Sequence, residues 1–487
     1  MLAYSKGNST LSFALAIIAS ACVGIHAIFL DNYLHPWDER YHAVVALNAM
    51  DDPFHLKLMP EKLIDWWPYD VWYASYTWLH KQPLFTWQMT IGMKVFGTSL
   101  QGMRSSSLVM FMLTGIATYK ACKVYFPKAA LWIMVMIYLT PVLLLLTSGR
   151  QGMDHNDLAF LCWISISFWA FVNYTKRPHI KYALAIGLAC GAAMLTKWLG
   201  GSLVLFSFGL YLLLSKDFTL KSWRNLVLSG GVALALFLPW QIYSYFKFPE
   251  VFLREWEYNG LHFFEVVEEH AYPSYYHIMV WIEEFQPFVL LFGVFLFLMT
   301  FKKRYHSPLL STALISIIAV FLFYGMAATK LKAFTIILLP FVAFCSAASV
   351  QWISGTRWLK YILSIILIVA GSRFYDLYLT AKEPELTIER SEAFRDIGLK
   401  LRKELPENAV IFNTPSMMYP DMIFYSHRLS YDRVPSTQEV EKVKEAGKEV
   451  FILAQEGLRI PEEVENQSKI IDATKIQFFY PKNEKAH

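Results

Sequence analysis

Charge is scarce in this sequence. Only 17% of its 487 residues are Asp, Glu, Lys or Arg, where a soluble chain of that length carries about 25%. Cysteine is scarce too. Cys22, Cys122, Cys162, Cys190 and Cys345 lie in or beside apolar stretches, with no CxxC and no pairing pattern. That excludes a disulfide framework and a thiolate metal site. Internal repeats and low-complexity segments are missing. A clear small-residue cleavage site is missing after the first apolar stretch, so it reads as a retained span. The net charge of +5 is small, and nothing in its pattern points to nucleic acid.

Apolar sequence fills the space. Hydrophobic residues make up 55% of the chain and aromatics 16%, with a mean hydropathy of +0.35. Runs of about 20 apolar residues recur, each long enough to cross a bilayer as a helix. The pattern predicts a polytopic α-helical membrane protein of about eleven spans, near residues 11–30, 104–121, 129–147, 157–173, 182–197, 200–214, 226–246, 279–300, 308–328, 333–352 and 359–375. The break Lys197-Trp198-Leu199-Gly200-Gly201 separates the fifth span from the sixth. Basic residues gather on alternate short loops, around Lys120–Lys128, Lys176–Lys181, Lys216–Arg224 and Lys302–Arg304. Those loops and the N-terminus are expected in the cytoplasm, and loop 31–103, loops 147–156 and 247–278, and everything after 375 outside.

Two domains are expected. Residues 1–380 form the membrane domain, including the long loop 31–103. In that loop Trp66, Tyr69, Tyr73 and Tyr76 recur at helical spacing, which predicts a helix lying in the membrane interface. Residues 84–97 predict a second interfacial piece. Residues 381–487 form a small α/β domain. It holds a helix with Phe394, Ile397 and Leu401 on one face, strands at 409–412, 449–453 and 476–480, and a helix opened by the capping box Ser436-x-x-Glu439. No glycine-rich phosphate loop occurs in it.

The stretch Trp37-Asp38-Glu39-Arg40-Tyr41-His42 follows the first span. Two carboxylates and an arginine at a membrane exit are costly unless solvated or used. A carboxylate near a reacting hydroxyl takes its proton as general base, and Asp38 is the candidate. Asp154 and Asp157 share a face at a helix start. They read as caps that complement the helix dipole, or as further site carboxylates. Lys81 in His80-Lys81-Gln82-Pro83-Leu84 reads as a snorkelling side chain or as a point charge for a phosphate. Arg104, Arg150, Lys197 and Lys330 are further cations near the outer surface, against the positive-inside rule. They suit an anionic lipid phosphate or simple headgroup contact. His80 and His270 offer a loosely spaced pair for a divalent metal ion. The aromatic stretch Trp66–Tyr73 serves either an interfacial belt or a platform for sugars and lipids.

In this order, Asp38-Glu39-Arg40-Tyr41, Lys81-Gln82-Pro83-Leu84 with Arg104, Arg150 to Asp157, Pro239-Trp240, His270-Ala271-Tyr272-Pro273 and Thr329-Lys330-Leu331 resemble the membrane glycosyltransferases of the GT-C class. The branch is that of protein O-mannosyltransferases and of the lipid A aminoarabinose transferase. The resemblance implies transfer of a sugar from a polyprenyl-phosphate donor to a lipid A or lipopolysaccharide, glycan or protein acceptor, on the periplasmic face of a bacterial inner membrane. It implies Asp38 as the principal catalytic carboxylate, with Glu39, Asp154 and Asp157 beside it. Lys81, Arg40 and Lys330 would hold the carrier phosphate, with Arg104, Arg150 and Lys197 near. Two positions depart from the pattern. Gln82 replaces the commoner proline, and His80 stands where aminoarabinose-transferring relatives carry a metal-binding acid. The rival reading is a lipid or solute transporter, which predicts charged residues inside spans along a pathway.

Overall fold

The computed structural model describes residues 9–65, 71–354, 361, 365–366, 384–415, 417–454 and 458–473. The expected span 359–375 lies almost wholly outside these residues, and the expected strand 476–480 lies outside them altogether. So do Trp66 and Tyr69.

Helices dominate the first 354 residues. They are α1 Ser9–Phe29, α2 Asp38–Asn48, α3 Pro83–Phe96, α4 Leu100–Tyr125, α5 Ala130–Tyr138, α6 Pro141–Ser148, α7 His155–Lys176, α8 Ile180–Lys197, α9 Leu203–Leu214, α10 Leu220–Lys247, α11 Pro249–Phe264, α12 Tyr276–Glu284, α13 Gln286–Phe301, α14 Pro308–Met326 and α15 Leu339–Ser354. Side chains of Ser99, Asp154, Thr219 and Ser307 cap α4, α7, α10 and α14 by accepting backbone N–H groups. Among the described residues six helical stretches are long and apolar enough to cross a membrane, or up to eight when each bent pair counts as one. The 26-residue α4, roughly 39 Å long, runs through the middle of the bundle against α7.

Two expected spans are broken. Residues 130–148 bend by 50° at Thr140-Pro141, where the proline opens a new helix. Residues 276–301 bend by 109°, so the span expected at 279–300 is really α12 lying across the direction of α13. Phe285, at φ −120° and ψ 30°, breaks the helix between them, and Pro287 sits in the first turn of α13, where a missing N–H costs nothing.

The stretch 180–214, counted as one of those six, doubles back into two antiparallel helices and is not one long helix. Lys197 and Trp198 are non-helical (φ −149°, ψ 59° and φ 55°, ψ −157°). A Cβ on Gly201 would lie 2.4 Å from the Met194 nitrogen. Seven residues of unbroken helix would hold these about 10 Å apart. Helices α8 and α10 also pack in parallel. Gly187 faces Ser229 and Val232, and Gly191 faces Ala233 and Leu236. Parallel neighbours need a return strand of chain between them, and α9 supplies it.

Loop 31–99 folds into structure of its own. Helix α3 buries Phe85, Met89 and Met93 and exposes Ile91, Val95 and Phe96. The helix expected through Tyr73 and Tyr76 does not form. Trp72–Ala74 is one 3-10 turn, and Thr77 bridges Lys57 in antiparallel fashion. The rings pack in the loop instead, with Tyr73 edge-on to Trp72 at 5.5 Å and Tyr76 edge-on to His55 at 5.6 Å, while Trp72 stacks on His80 at 4.5 Å.

The C-terminal unit comprises α16 Glu385–Glu404, β1 Ala409–Phe412, α17 Tyr419–Ser426, β2 Leu429–Ser430, α18 Thr437–Glu445, β3 Glu449–Ala454 and β4 Lys469–Asp472. All strand pairs are parallel, in the order β2-β1-β3-β4. Both hydrogen bonds of the Ser436–Glu439 capping box form. Phe394 and Leu401 of α16 bury against Ile411, Met422 and Leu453. Tyr419, Phe424 and Tyr425 of α17 join the core of the helical part.

Candidate active site

Helix α2 is buried along most of its length, and its first turn sends successive side chains to different anchors. Trp37, before it, holds a left-handed φ of 68° and stays exposed. Glu39 is buried and accepts two hydrogen bonds from Arg104, Nε to Oε1 at 2.6 Å and Nη2 to Oε2 at 2.9 Å. The His35 amide and His155 Nε2 complete its shell at 2.6 and 2.9 Å. His155 meets Ser107 at 2.8 Å on its other nitrogen. Gly149, at φ 81°, lets the backbone approach this knot. A Cβ there would sit 2.9 Å from the Glu39 carboxylate and from His155 Nε2. Burial alone would raise the Glu39 pKa, but Arg104, His155 and His35 hold it well below the usual carboxylate range.

Asp38 points elsewhere. Its Oδ1 lies 3.5 Å from Lys81 Nζ, and Asp154 Oδ2 lies 3.6 Å from the same nitrogen. One ammonium thus sits between carboxylates of two separate loops. Burial opposes the charge on Lys81, but Asp38, Asp154, Asp157 and Glu268 outweigh it and push its pKa up. His42, one helical turn after Asp38, is fully buried and sets Nδ1 3.4 Å from Asp154 Oδ1 without a well-formed hydrogen bond. Burial keeps this ring below its usual pKa despite Asp154 and Asp38. Burial would also raise Asp154, and His42, Lys81 and Lys197 hold it down. Asp154 also caps α7 through the Asn156 amide at 2.8 Å. Asp157 pairs with Lys197, which lies over the Phe334 ring.

A second shell of groups rims this cluster from α11 and the loop after it. His80 Nδ1 lies 3.0 Å from Glu255 Oε2. Glu268 Oε1 accepts from Tyr258 at 2.8 Å and from Trp72 at 3.2 Å. Burial and the neighbouring Lys81 lower the His262 pKa to about 4. The turn 329–331 is tied to this loop, since the Lys330 amide donates to the His270 carbonyl at 3.1 Å. Lys330 Nζ donates to the Ala327 carbonyl at 2.6 Å.

The structure therefore gathers Asp38, Lys81, Asp154, Asp157 and Lys197, and it diverts other expected site residues. Glu39 is the centre of a buried knot. Arg104 is fully buried on Glu39 and on the carbonyls of Asp31 and Tyr33. Arg150 forks onto Asp31 at 2.5 and 3.0 Å. Arg40 turns to Asp421, 3.1 Å away in the C-terminal unit. His80 meets Glu255 and Trp72 rather than His270. Among the described residues the group that can hold a cation together is Asp38, His42 and Asp154, whose ligand atoms lie within 4.8 Å of one another. His42 went unassigned in the sequence, although its position four residues after Asp38 was a signal. Asp31 and Asp421 left none, because their partners are distant in sequence.

The chain is similar to known proteins in sequence and in fold. The family model for dolichyl-phosphate-mannose-protein mannosyltransferases matches residues 80–243, which takes in Lys81, Arg150, Asp154, Asp157 and Lys197 but not Asp38. An undecaprenyl phosphate-alpha-4-amino-4-deoxy-L-arabinose arabinosyl transferase of Pseudomonas fluorescens is 24% identical over 303 residues, 58% of this chain and 52% of that protein. The match thus spans about half the length of that curated relative. The crystal structure of ArnT from Cupriavidus metallidurans bound to undecaprenyl phosphate aligns with a TM-score of 0.66 at 16% identity, over 90% of this chain and 88% of that one. The Archaeoglobus fulgidus oligosaccharyltransferase in complex with zinc and sulfate aligns with a TM-score of 0.54 at 14% identity, over 86% of this chain and 62% of that one. The chain is a multi-pass membrane protein with the GT-C fold.

Proposed function

We propose that this protein is a glycosyltransferase that moves a sugar from a polyprenyl-phosphate carrier to an acceptor of the bacterial envelope. The observation that carries the reading is Lys81, held 3.5 and 3.6 Å from the carboxylates of Asp38 and Asp154. The relatives' names support the donor class, and ArnT was crystallised with undecaprenyl phosphate. The chemistry follows from the arrangement. Asp38 accepts the proton of an acceptor hydroxyl, whose oxygen attacks the anomeric carbon. The carbon–oxygen bond to the carrier breaks, and its electron pair leaves on the phosphate. Lys81, with Lys197 near, stabilises the charge that develops there. Phosphate leaves as an anion and needs no acid. Asp154 and Asp157 hold these lysines in place, while Glu39, Arg104 and Arg150 build the scaffold.

A divalent cation has a fitting donor set in Asp38, Asp154 and the buried His42 ring, and would add Lewis-acid stabilisation there. It competes with Lys81 for the same carboxylates. Residues 1–380 then form the membrane unit and 381–487 the outer unit, with the N-terminus in the cytoplasm, the site in the periplasm and the chain in the inner membrane. The acceptor is a lipid A or lipopolysaccharide, a glycan or a protein. Mass spectrometry of envelope glycolipids and glycoproteins from a deletion strain identifies it. Complementation with Asp38→Asn should give an inserted protein and no transfer, and full transfer by that variant would defeat the reading.

A further inference from the structure

The geometry points to residues 417–426 of the C-terminal unit as a positioning element of the site, holding α2 in register through Arg40 and Asp421. The inference rests on reading α2 as the catalytic helix. In the sheet order β2-β1-β3-β4, the chain goes from β1 to β2 on one side and returns to β3 on the other, so the strand order reverses between β1 and β3. The carboxyl ends of the strands at such a point are where open parallel sheets present ligand-facing loops. Here that loop leaves β1 at Asn413, whose side chain donates across to the Leu453 carbonyl at 2.7 Å. What it faces is the catalytic helix. Arg40 Nη1 donates to the Met417 carbonyl at 2.8 Å, and Arg40 Nε lies 3.1 Å from Asp421 Oδ2.

Three observations give this contact a function beyond adhesion. Met417 is left-handed at φ 64°. Such a conformation is unfavourable for a non-glycine residue and persists where the surroundings impose it, and its carbonyl is the one that Arg40 takes. Asp421 is fully buried and Arg40 nearly so. A buried ion pair is a poor source of stability, so direction is its better-attested contribution. The contact also lies opposite a rigid one. Glu39 is fixed to Arg104 on one side of α2, and Arg40 to Asp421 on another. Together they set the roll of the helix, and with it the aim of Asp38, whose own ion pair, to Lys81 at 3.5 Å, is the looser one. The Tyr425 hydroxyl accepts the Leu34 amide at 2.8 Å, just before α2, and secures the same end.

The test uses the full chain in lipid nanodiscs, with a spin label on Trp37→Cys, an exposed position at the head of α2. Asp421→Asn should mobilise this label and lower product formation in the complemented deletion strain at least tenfold. Affinity for undecaprenyl phosphate should stay within about twofold. Asp421→Glu, which keeps the charge, should recover part of the rate. An equally immobile label in a folded Asp421→Asn chain, or wild-type transfer by it, would overturn the proposal. Should Asp421→Asn fail to fold, Arg40→Lys carries both measurements with the same expected directions. A wild-type chain that transfers nothing would defeat the glycosyltransferase reading instead, and the label would still decide the positioning.

Discussion

Glu39→Gln separates scaffold from chemistry at adjacent carboxylates. The Glu39 carboxylate is 2% exposed and accepts from four donors, two of them on a fully buried Arg104. Gln is nearly isosteric, so no cavity forms. It removes the charge opposite Arg104 and turns one acceptor oxygen into a donor facing donors. Removing one partner of a buried pair costs about 3–5 kcal/mol, because the other charge stays buried and uncompensated. Asp38→Asn changes a partly exposed group and should shift stability by no more than about 0.5 kcal/mol. Thermal unfolding of both variants in one detergent, followed by fluorescence-detected size exclusion, compares them. The acid limb gives a second reading. The folded pKa of Glu39 lies below its ordinary 4.5, so its contribution is present above pH 4.5 and is lost as pH falls below it. Wild type should lose stability there, and Glu39→Gln should lack that share. A Glu39→Gln chain as stable as wild type but inactive would refute the scaffold assignment and return Glu39 to the chemistry.

Lys81→Ala should weaken undecaprenyl phosphate binding about tenfold or more with little change in melting, measured by titration of the lipid in nanodiscs. The same variant frees two carboxylates and the His42 ring, so its zinc or manganese content by elemental analysis should rise above wild type. Gly149→Ala should cost about 1–3 kcal/mol through its clash with Glu39 and His155 alone, seen as a lower melting temperature. Reporter fusions after residues 125, 178 and 305 should score as cytoplasmic, and one after 390 as external.

Much of the site was readable because its chemistry is local in sequence. Asp38, Lys81 and Asp154 each stand at the edge of an apolar run, where a charge needs a reason. Their neighbours were not readable. Consecutive residues on a helix point about 100° apart, so Glu39 and Arg40 leave the pocket that Asp38 enters. Their partners, Arg104 and Asp421, are 65 and 381 residues away. Helical spacing also misled at Tyr73 and Tyr76, where the rings serve packing in a loop. The break at Lys197 to Gly201 was legible as a reversal, since two glycines and a lysine interrupt an otherwise continuous apolar run. The two-residue β2 carries no pattern of its own and exists only because β1 offers it an edge.

The long separations along the chain impose an order on biogenesis. During synthesis, the guanidinium of residue 104 can meet its carboxylate early, the imidazole of residue 155 joins soon after, and Asp421 emerges last. Ribosomes that stop before that codon would release a membrane-embedded product whose acidic helix still lacks its final tether. Synthesis through residue 421 thus becomes a condition for tethering the helix on both sides, and shorter products would hold it on the Arg104 side alone.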